Sequence, residues 1–192
     1  MWAFALYDSK LSELYLCRDC FGEKPLYFTN QNDGVYFSSE TKSIFNLLNK
    51  RLDLNFDQLH RYLVNGYKSI YKQNTTFYNQ LNEVGQGQWI KIDKNLKVTS
   101  KKYWQPKLKV DETLTYKDSV EKVRNELIRS VSNRLRSDVP IAFCMSGGID
   151  STLISLLSKD LRNTNYPQIF TGRYTSHEGY DESDYVKKVC IE

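Results

Sequence analysis

The residues with the clearest chemical potential form the run Ser146-Gly147-Gly148-Ile149-Asp150-Ser151. Its two adjacent glycines would let an anion approach the backbone without a Cβ atom in the way. The hydroxyl groups of Ser146 and Ser151 are hydrogen-bond donors, and Asp150 could cap a helix or help to hold a cation beside phosphates. Because the run contains no lysine, it differs from a Walker A loop. It therefore predicts a phosphate site that depends mainly on backbone N–H groups.

The segments on either side of this run indicate how it would be positioned. Residues 141–145 are all apolar and predict a buried strand, while apolar residues recur at helical spacing over residues 149–159. A loop between a strand and a helix would direct the free N–H groups of the first helical turn toward an anion. A glycine turn with a plain aspartate cap is the alternative without a ligand, and the strand and helix contexts argue against it.

The bulk composition limits the classes of function. The chain has 192 residues, a formal net charge of +4, 26% charged residues and 40% hydrophobic residues. This composition is typical of a globular protein with one large domain or two small ones. The positive charge is spread along the chain, which gives little support for a nucleic-acid partner. No apolar run approaches the roughly 18 residues of a membrane span and no signal peptide is recognisable, so we predict no membrane association and a cytoplasmic location.

The cysteines predict neither a metal site nor a redox pair. Cys17 and Cys20 have the spacing of half a zinc site, but a second pair is absent from the sequence. The residues after Cys20 do not predict the helix that a redox pair would begin. Cys144 falls in the predicted buried strand, where it would serve as a small apolar residue. We therefore predict free thiols, as in a reducing compartment, and no metal ligands.

The first hundred residues predict an α+β arrangement. Residues 2–7 form a continuous apolar run, which predicts a strand covered on both faces. With three further strands it would form an antiparallel meander, and two helices and a hairpin would follow. The predicted strands are 2–7, 14–17, 25–29 and 35–38, the helices are 40–48 and 56–64, and the hairpin strands are 88–92 and 98–103, after a loop between Gly66 and Val84.

The remaining residues predict an α/β arrangement. Residues 106–115 contain a proline and few large apolar side chains, which is typical of a linker. A helix over 116–136 would bury the stripe Val120, Val123, Leu127, Val131 and Leu135. A strand at 168–171 and a helix capped by Asp181 come after the glycine run. This order predicts the start of a doubly wound sheet, whose ligand binds at the carboxyl ends of the strands.

Four blocks of sequence, in this order, resemble the glutamine-hydrolysing asparagine synthetase family. They are MWAFALYD at 1–8, RDCFGEKPLY at 18–27, FSSETK at 37–42 and SGGIDS at 146–151, the last preceded by RLRSDVP at 134–140. The corresponding family patterns run roughly MFAFALWD, RDRxGxKPLYY and FASExKAL, followed by the SGGxDS pyrophosphate loop of the ATP pyrophosphatase superfamily. The resemblance extends over nearly the whole chain.

The resemblance implies two incomplete domains. Residues 1–105 would be the C-terminal part of a type-2 glutamine amidotransferase domain, an αββα sandwich of the Ntn (N-terminal nucleophile) type. Residues 106–115 would be a linker, and residues 116–192 would begin a synthetase domain built on the doubly wound parallel sheet of ATP pyrophosphatases. The family's N-terminal cysteine nucleophile and later synthetase residues have no counterpart in this sequence. We therefore expect an internal fragment, and we predict no catalytic residue.

The resemblance also implies a reaction and its ligands. Glutamine would supply ammonia, and ATP with Mg²⁺ would adenylate the side-chain carboxylate of aspartate, giving asparagine, AMP and pyrophosphate. The expected partners are aspartate, glutamine and ATP, and a homodimer is among the assemblies that the family allows. The alternatives are a related amidotransferase that acts on another acceptor and a non-catalytic remnant that binds nucleotide.

Site residues carried over from the family fall in three groups. The pyrophosphate loop would comprise Ser146, Gly147, Gly148, Asp150 and Ser151. Thr171 and Gly172 would lie beside the adenine. The third group, Arg18, Asp19 and Lys24-Pro25, would shape a loop facing the synthetase half, a structural role rather than a catalytic one.

Overall fold

The structure, a computed structural model, describes residues 1–67, 74–162, 168–174 and 181–191. It divides into two compact units, Met1–Lys109 and Val110–Glu192. The fold is mixed, with antiparallel sheets in the first unit and a parallel strand pair in the second. The centre of the loop predicted between Gly66 and Val84 lies outside the described residues.

Two antiparallel sheets form the first unit. The four-stranded sheet has the order β1 (Ala3–Asp8), β2 (Glu13–Arg18), β6 (Gln88–Ile92) and β7 (Val98–Lys102). The three-stranded sheet has the order β4 (Gly34–Ser38), β3 (Tyr27–Gln31) and β5 (Asn82–Glu83). The predicted hairpins of β1 with β2, β3 with β4, and β6 with β7 are confirmed.

The predicted meander is wrong, because β2 and β3 belong to different sheets. β2 instead pairs with β6, where Leu16 lies opposite Ile90. The reason is the core cluster of Leu16, Leu26, Phe28, Val84, Ile90 and Ile92. Since its members come from strands or strand ends of both sheets, the two sheets pack face to face. Local alternation defines each strand, but this shared core determines its partner.

A helix covers the other face of the three-stranded sheet. In α1 (Thr41–Leu48), Ile44 is fully buried and packs with Leu52 and Leu81. Alternation along β3 places Phe28 in the inter-sheet core, whereas Tyr27 packs against the α1 cluster. The layers of the first unit are therefore the four-stranded sheet, the three-stranded sheet and α1.

The second helix of the first unit matches its prediction closely. α2 (Phe56–Asn65) begins after Asn55, whose side chain accepts a hydrogen bond from Gln58 N. It ends at Gly66, whose φ of +73° favours glycine. Sequence reasoning found Gly66, because it lies directly after the last helical residue, but did not identify Asn55 as the cap.

Strand β1 is not covered on both faces, contrary to the prediction. It lies at the edge of the four-stranded sheet, and β2 is its only partner among the described strands. Phe4 and Leu6 remain 47% and 55% exposed. A continuous apolar run does not distinguish a central strand from an edge strand, because it specifies side chains rather than neighbours.

The second unit contains a strand, a helix and a strand in parallel arrangement. Its elements are α3 (Tyr116–Arg134), β8 (Ala142–Cys144), α4 (Ile149–Arg162), β9 (Gln168–Phe170) and α5 (Ser183–Ile191). β8 and β9 pair in parallel, with Cys144 opposite Phe170. Because parallel strands share a direction, the residues after both strands leave the same edge of the sheet.

Two burial predictions in this unit are wrong. Of the strand expected to be buried, Ala142 and Cys144 are exposed and Met145 is 2% exposed. On α3 only Val131 is buried, while Val120 and Val123 are 50% and 58% exposed. The sheet is two strands wide, so the helices described here cover only part of these apolar faces. Within the described ranges, no helix is both long and apolar enough to cross a membrane.

Candidate functional site

The glycine loop lies at the carboxyl edge of β8 and β9. Met145 N donates a hydrogen bond to Phe170 O at 2.9 Å, which extends the strand pairing by one residue. Gly147 then turns the chain with a φ of +79°, a conformation that favours glycine. Thr152 N donates to Gly148 O at 3.1 Å, so α4 begins directly after the turn. The predicted strand, turn and helix are all present.

The two serines of the loop lie together. Ser151 Oγ is 3.2 Å from Ser146 N, from which it accepts a hydrogen bond, and 3.3 Å from Ser146 Oγ. Ser151 Oγ also donates to Gly148 O at 3.2 Å. These contacts stabilise the conformation of the loop internally. Ser146 itself is exposed to solvent.

The backbone N–H groups of residues 147–151 find no acceptor among the described residues. Consecutive N–H groups at a helix start form a concave site for an anion, and the helix dipole adds to the attraction. Asp150 is exposed, and its carboxylate makes no hydrogen bond or ion pair within the described part of the chain. The loop can therefore bind an anion without breaking an existing contact.

The two glycines serve different purposes. A Cβ atom on Gly147 would lie 3.0 Å from Tyr185 Cβ and 3.4 Å from Glu182 O, because the start of α5 packs against the loop. A Cβ atom on Gly148 would meet only Ser146 Oγ, at the ordinary distance of 3.5 Å. Gly147 is therefore required by the fold, whereas Gly148 leaves open space in front of the loop.

The predicted adenine residues emerge at the same edge. Thr171 and Gly172 follow β9 and are both exposed. A Cβ atom on Gly172 would have no neighbour within 4 Å. The structure thus brings an open stretch of backbone alongside the glycine loop.

Sequence reasoning predicted Asp181 at the start of α5 but missed its ionic partner. Asp181 lies two residues before the helix, and its Oδ1 accepts a hydrogen bond from Ser183 N, the first helical residue, at 3.0 Å. Hydrogen bonds from the backbone and hydroxyl of Ser183 lower the pKa of the Asp181 carboxyl. Asp181 Oδ2 lies 3.9 Å from Arg173 Nε. The signal available in the sequence was a cationic residue, Arg173, three positions after a strand that ends at the edge where the ligand would bind.

Thr152 is a second residue that sequence reasoning missed. Its Oγ1 atom is buried and has no hydrogen-bond partner among the described residues. An unpaired buried hydroxyl is unfavourable, so its position in the first turn of α4 is unusual. The sequence signal that could have indicated Thr152 is its position directly after another hydroxyl residue, Ser151.

The loop suits a magnesium ion that arrives with its ligand. Within the described ranges, no three His, Cys, Asp or Glu side chains form a group that could hold a metal by themselves. Mg²⁺ commonly uses one or two carboxylates and completes its shell with water and substrate phosphates. The unpaired, exposed carboxylate of Asp150 fits that requirement.

The loop between β2 and β3 has a different construction, centred on Asp19. This carboxylate is 4% exposed. Its Oδ1 accepts hydrogen bonds from Phe21 N and Glu23 N, both at 3.0 Å. Its Oδ2 accepts from Lys24 N at 3.1 Å and Trp2 N at 3.3 Å. Burial alone would raise the pKa of Asp19, but these four N–H groups outweigh it and lower the pKa to about 2.

Arg18 completes this loop with the opposite charge. Its guanidinium donates to the carbonyl oxygens of Gly22, Lys24 and Val84 at 2.7, 2.7 and 2.8 Å. It also pairs with Glu83 Oε1 at 2.6 Å. All of these contacts join parts of the first unit, which agrees with the structural role predicted for Arg18 and Asp19.

Comparison with known proteins yields matches to the regions that contain both loops. Residues 1–104 match the family model of the glutamine amidotransferase domain, and residues 122–192 match that of asparagine synthase. The chain belongs to the asparagine synthetase family. The Asp19 loop falls in the amidotransferase match and the glycine loop in the synthetase match, as the resemblance implied.

Curated members of the asparagine synthetase family align over nearly the whole chain. Asparagine synthetase [glutamine-hydrolyzing] 1 of Bacillus subtilis is 32% identical over 191 residues, covering 99% of this chain and 29% of the relative. A putative asparagine synthetase of Methanocaldococcus jannaschii is 30% identical, covering 98% of this chain and 36% of the relative. The amidase chyE of Penicillium rubens is 26% identical, covering 98% and 29%. The chain thus spans about a third of the length of these relatives.

A solved structure also aligns with this member of the asparagine synthetase family. It is the glutamine phosphoribosylpyrophosphate amidotransferase of B. subtilis complexed with ADP and GMP. The alignment covers 88% of this chain and 32% of that chain, at 13% identity and a TM-score of 0.30. Similarity at this level does not assign a fold.

Proposed function

We propose that the chain supplies parts of both halves of a glutamine-dependent asparagine synthetase. Residues 1–105 would belong to the type-2 amidotransferase domain, 106–115 to a linker and 116–192 to the ATP pyrophosphatase domain. The two stacked sheets with a helix layer support an αββα sandwich of the Ntn type. The parallel unit of β8, α4 and β9 supports the start of a doubly wound sheet.

The glycine loop is the proposed pyrophosphate site. Its members are Ser146, Gly147, Gly148, Asp150 and Ser151. The observation that carries this proposal is the set of free N–H groups at residues 147–151, at the carboxyl edge of two parallel strands. Thr171 and Gly172 would lie beside the adenine, because their backbone follows β9 at that edge. The match to the asparagine synthase family includes all of these residues.

The proposed reaction activates the side-chain carboxylate of aspartate. A carboxylate oxygen would attack the α-phosphorus of ATP, release pyrophosphate and form an acyl adenylate. Ammonia from glutamine would then displace AMP and give asparagine. The carboxylate needs this activation because oxide is a poor leaving group, whereas AMP is a good one.

The loop's contribution to this reaction is placement and charge stabilisation. Its N–H groups and the N-terminus of α4 would hold the pyrophosphate as negative charge develops on it. Mg²⁺, with Asp150 as a ligand, would neutralise part of that charge. No residue described here is assigned the role of acid, base or nucleophile.

Aspartate-dependent exchange of labelled pyrophosphate into ATP tests this function. The protein that contains this chain should catalyse the exchange with ATP, Mg²⁺ and aspartate, and should form asparagine once glutamine is added. Bound ATP without any exchange would overturn the enzymatic proposal and leave a nucleotide-binding remnant.

A second candidate function is amidation of another acceptor. It is supported by two relatives that do not bear the name asparagine synthetase, the amidases chyE of Penicillium rubens and chry2 of Gibberella zeae, 26% and 30% identical to this chain. The same exchange assay distinguishes the candidates, since exchange that depends on a different carboxylate, and not on aspartate, would select this second function.

A further inference from the structure

Arg173 lies at the edge where the glycine loop begins. In the register of β8 and β9, Cys144 lies opposite Phe170. Gly147 is three residues beyond Cys144, and Arg173 is three residues beyond Phe170. Both segments leave the sheet in the same direction, so Arg173 emerges beside the loop.

The partner of Arg173 is anchored to the same loop. Asp181 directly precedes Glu182, whose carbonyl oxygen would lie 3.4 Å from a Cβ atom on Gly147. The Cβ atom of Tyr185, in the first turn of α5, would lie 3.0 Å from that atom. The ion pair of Arg173 and Asp181 is therefore held next to the glycine loop from both sides, through β9 and through α5.

The ion pair is easily broken. Arg173 Nε is 3.9 Å from Asp181 Oδ2, and the arginine side chain is 70% exposed. Exposed pairs of this kind contribute little to stability. Asp181 keeps its hydrogen bond from Ser183 N at 3.0 Å whether or not Arg173 is present. Arg173 can therefore break its ion pair while the carboxylate of Asp181 keeps a hydrogen bond.

The loop lacks a cation of its own. Residues 145–151 contain no lysine or arginine, and the basic residues of α4, Lys159 and Arg162, lie in its last turn. A nucleotide's phosphate chain carries several negative charges, more than partial charges on N–H groups balance. A guanidinium binds phosphate oxygens in a planar, bidentate geometry.

We propose that Arg173 is a phosphate-binding residue, which exchanges the carboxylate of Asp181 for the phosphate chain of the nucleotide held by the glycine loop. The inference rests on the proposed nucleotide site and adds a residue that determines its preference for polyphosphate. Asp181 holds the guanidinium near the loop in the absence of nucleotide, and competes with the phosphates for it.

Calorimetric titration of the full chain with Mg·ATP, AMP and adenosine tests this role. Arg173→Ala should weaken ATP binding about tenfold, or about 1.4 kcal/mol, and leave adenosine binding unchanged. Arg173→Lys should restore part of the loss, because it keeps the charge without the bidentate geometry. Asp181→Asn should tighten ATP binding two- to threefold, since an amide still accepts the Ser183 N–H but releases Arg173.

Arg162→Ala is the matched control. Arg162 is also an exposed arginine of the second unit, and it lies in the last turn of α4, at the end opposite to the glycine loop. Its loss should leave ATP binding unchanged, which excludes a general effect of net charge. Equal affinities of Arg173→Ala and the original chain for ATP would overturn this inference alone, as would an equal loss for adenosine. Failure of the original chain to bind Mg·ATP would overturn the nucleotide site and this inference together.

Discussion

Two loops of this protein each present several backbone N–H groups, and they differ in whether the chain itself supplies an acceptor for them. In the loop that begins at Arg18, the carboxylate of Asp19 accepts four N–H groups. In the loop that begins at Ser146, the N–H groups of residues 147–151 find no acceptor in the described structure. The same backbone arrangement is structural when the chain supplies the anion and is available to a ligand when it does not.

The first test of this comparison removes the negative charge of Asp19. In Asp19→Asn, Oδ1 would still accept from Phe21 N and Glu23 N, but an amide would face the N–H groups of Trp2 and Lys24. Two partly buried donors would lose their acceptor beside the buried side chain, so the free energy of unfolding should fall by about 3 kcal/mol in urea denaturation.

Asp93→Asn is the control for that substitution. Asp93 uses only Oδ1, which accepts from Asn95 N at 2.8 Å and Lys97 N at 3.0 Å. An asparagine keeps this acceptor, so the unfolding free energy should change by less than about 0.5 kcal/mol. Equal effects of the two substitutions would show that the Asp19 loop is no more tightly held than an ordinary turn.

Acid tests the same anion without a mutation. The pKa of Asp19 is about 2 in the folded protein, whereas an unperturbed aspartate has the reference value of 3.8. Because the folded-state pKa is the lower one, the carboxylate stabilises the fold above pH 3.8, and this contribution disappears as the pH falls toward 2. The loss should amount to about 2 kcal/mol. It should be absent from the pH profile of Asp19→Asn.

Filling the open loop should affect binding rather than folding. Gly148→Val and Asp150→Ala should each weaken Mg·ATP binding by at least tenfold, about 1.4 kcal/mol. The valine would occupy the ligand's space, since the nearest atom to its Cβ is Ser146 Oγ at 3.5 Å. The urea midpoint should stay the same. Unchanged titration curves for both variants would remove the phosphate assignment.

Gly147→Ala sharpens this result. At a φ of +79°, with Tyr185 Cβ 3.0 Å away, an alanine should lower the stability of the second unit by roughly 1 kcal/mol or more. The two adjacent glycines should therefore separate a binding defect from a folding defect, and equal stabilities of both variants would contradict their different environments.

The smallest effect on stability is expected at Glu13, an anion whose hydrogen bonds come from side chains. Glu13 accepts hydrogen bonds from Lys91 Nζ and Tyr15 OH, both at 2.7 Å. The hydrogen bond from Lys91, followed by that from Tyr15, lowers the pKa of Glu13. Because the group is partly solvated, Glu13→Gln should shift the urea midpoint far less than Asp19→Asn. A comparable shift would contradict the view that the four backbone N–H groups make Asp19 more important for stability than Glu13.

Sequence reasoning succeeded where the determining contacts are local. The strand β6 was predicted at its observed bounds of Gln88–Ile92, because its side chains alternate between apolar and polar. The turn at Gly147 and the start of α4 followed from neighbouring glycines and a change in periodicity. The family assignment, carried by short ordered motifs, is also confirmed.

Sequence reasoning failed where a residue's hydrogen-bond or ion-pair partner is distant in sequence. Arg18 pairs with Glu83, 65 positions away, and Trp2 N binds Asp19 across 17 positions. No local pattern indicates such contacts. The exposed stripe of α3 shows a related limit, since periodicity predicts an apolar face without identifying what packs on it.

The strand order of the first unit has a consequence for synthesis. Glu13 on β2 and Lys91 on β6 are 78 positions apart, and the three-stranded sheet and both helices lie between them in the chain. On the ribosome the hairpin of β1 and β2 emerges early, but the edge of β2 that pairs with β6 stays open until residues 88–92 have left the exit tunnel. Closing so long a loop is slow. Translation speed across residues 40–90 therefore sets how long this nascent chain is open to aggregation or chaperone binding.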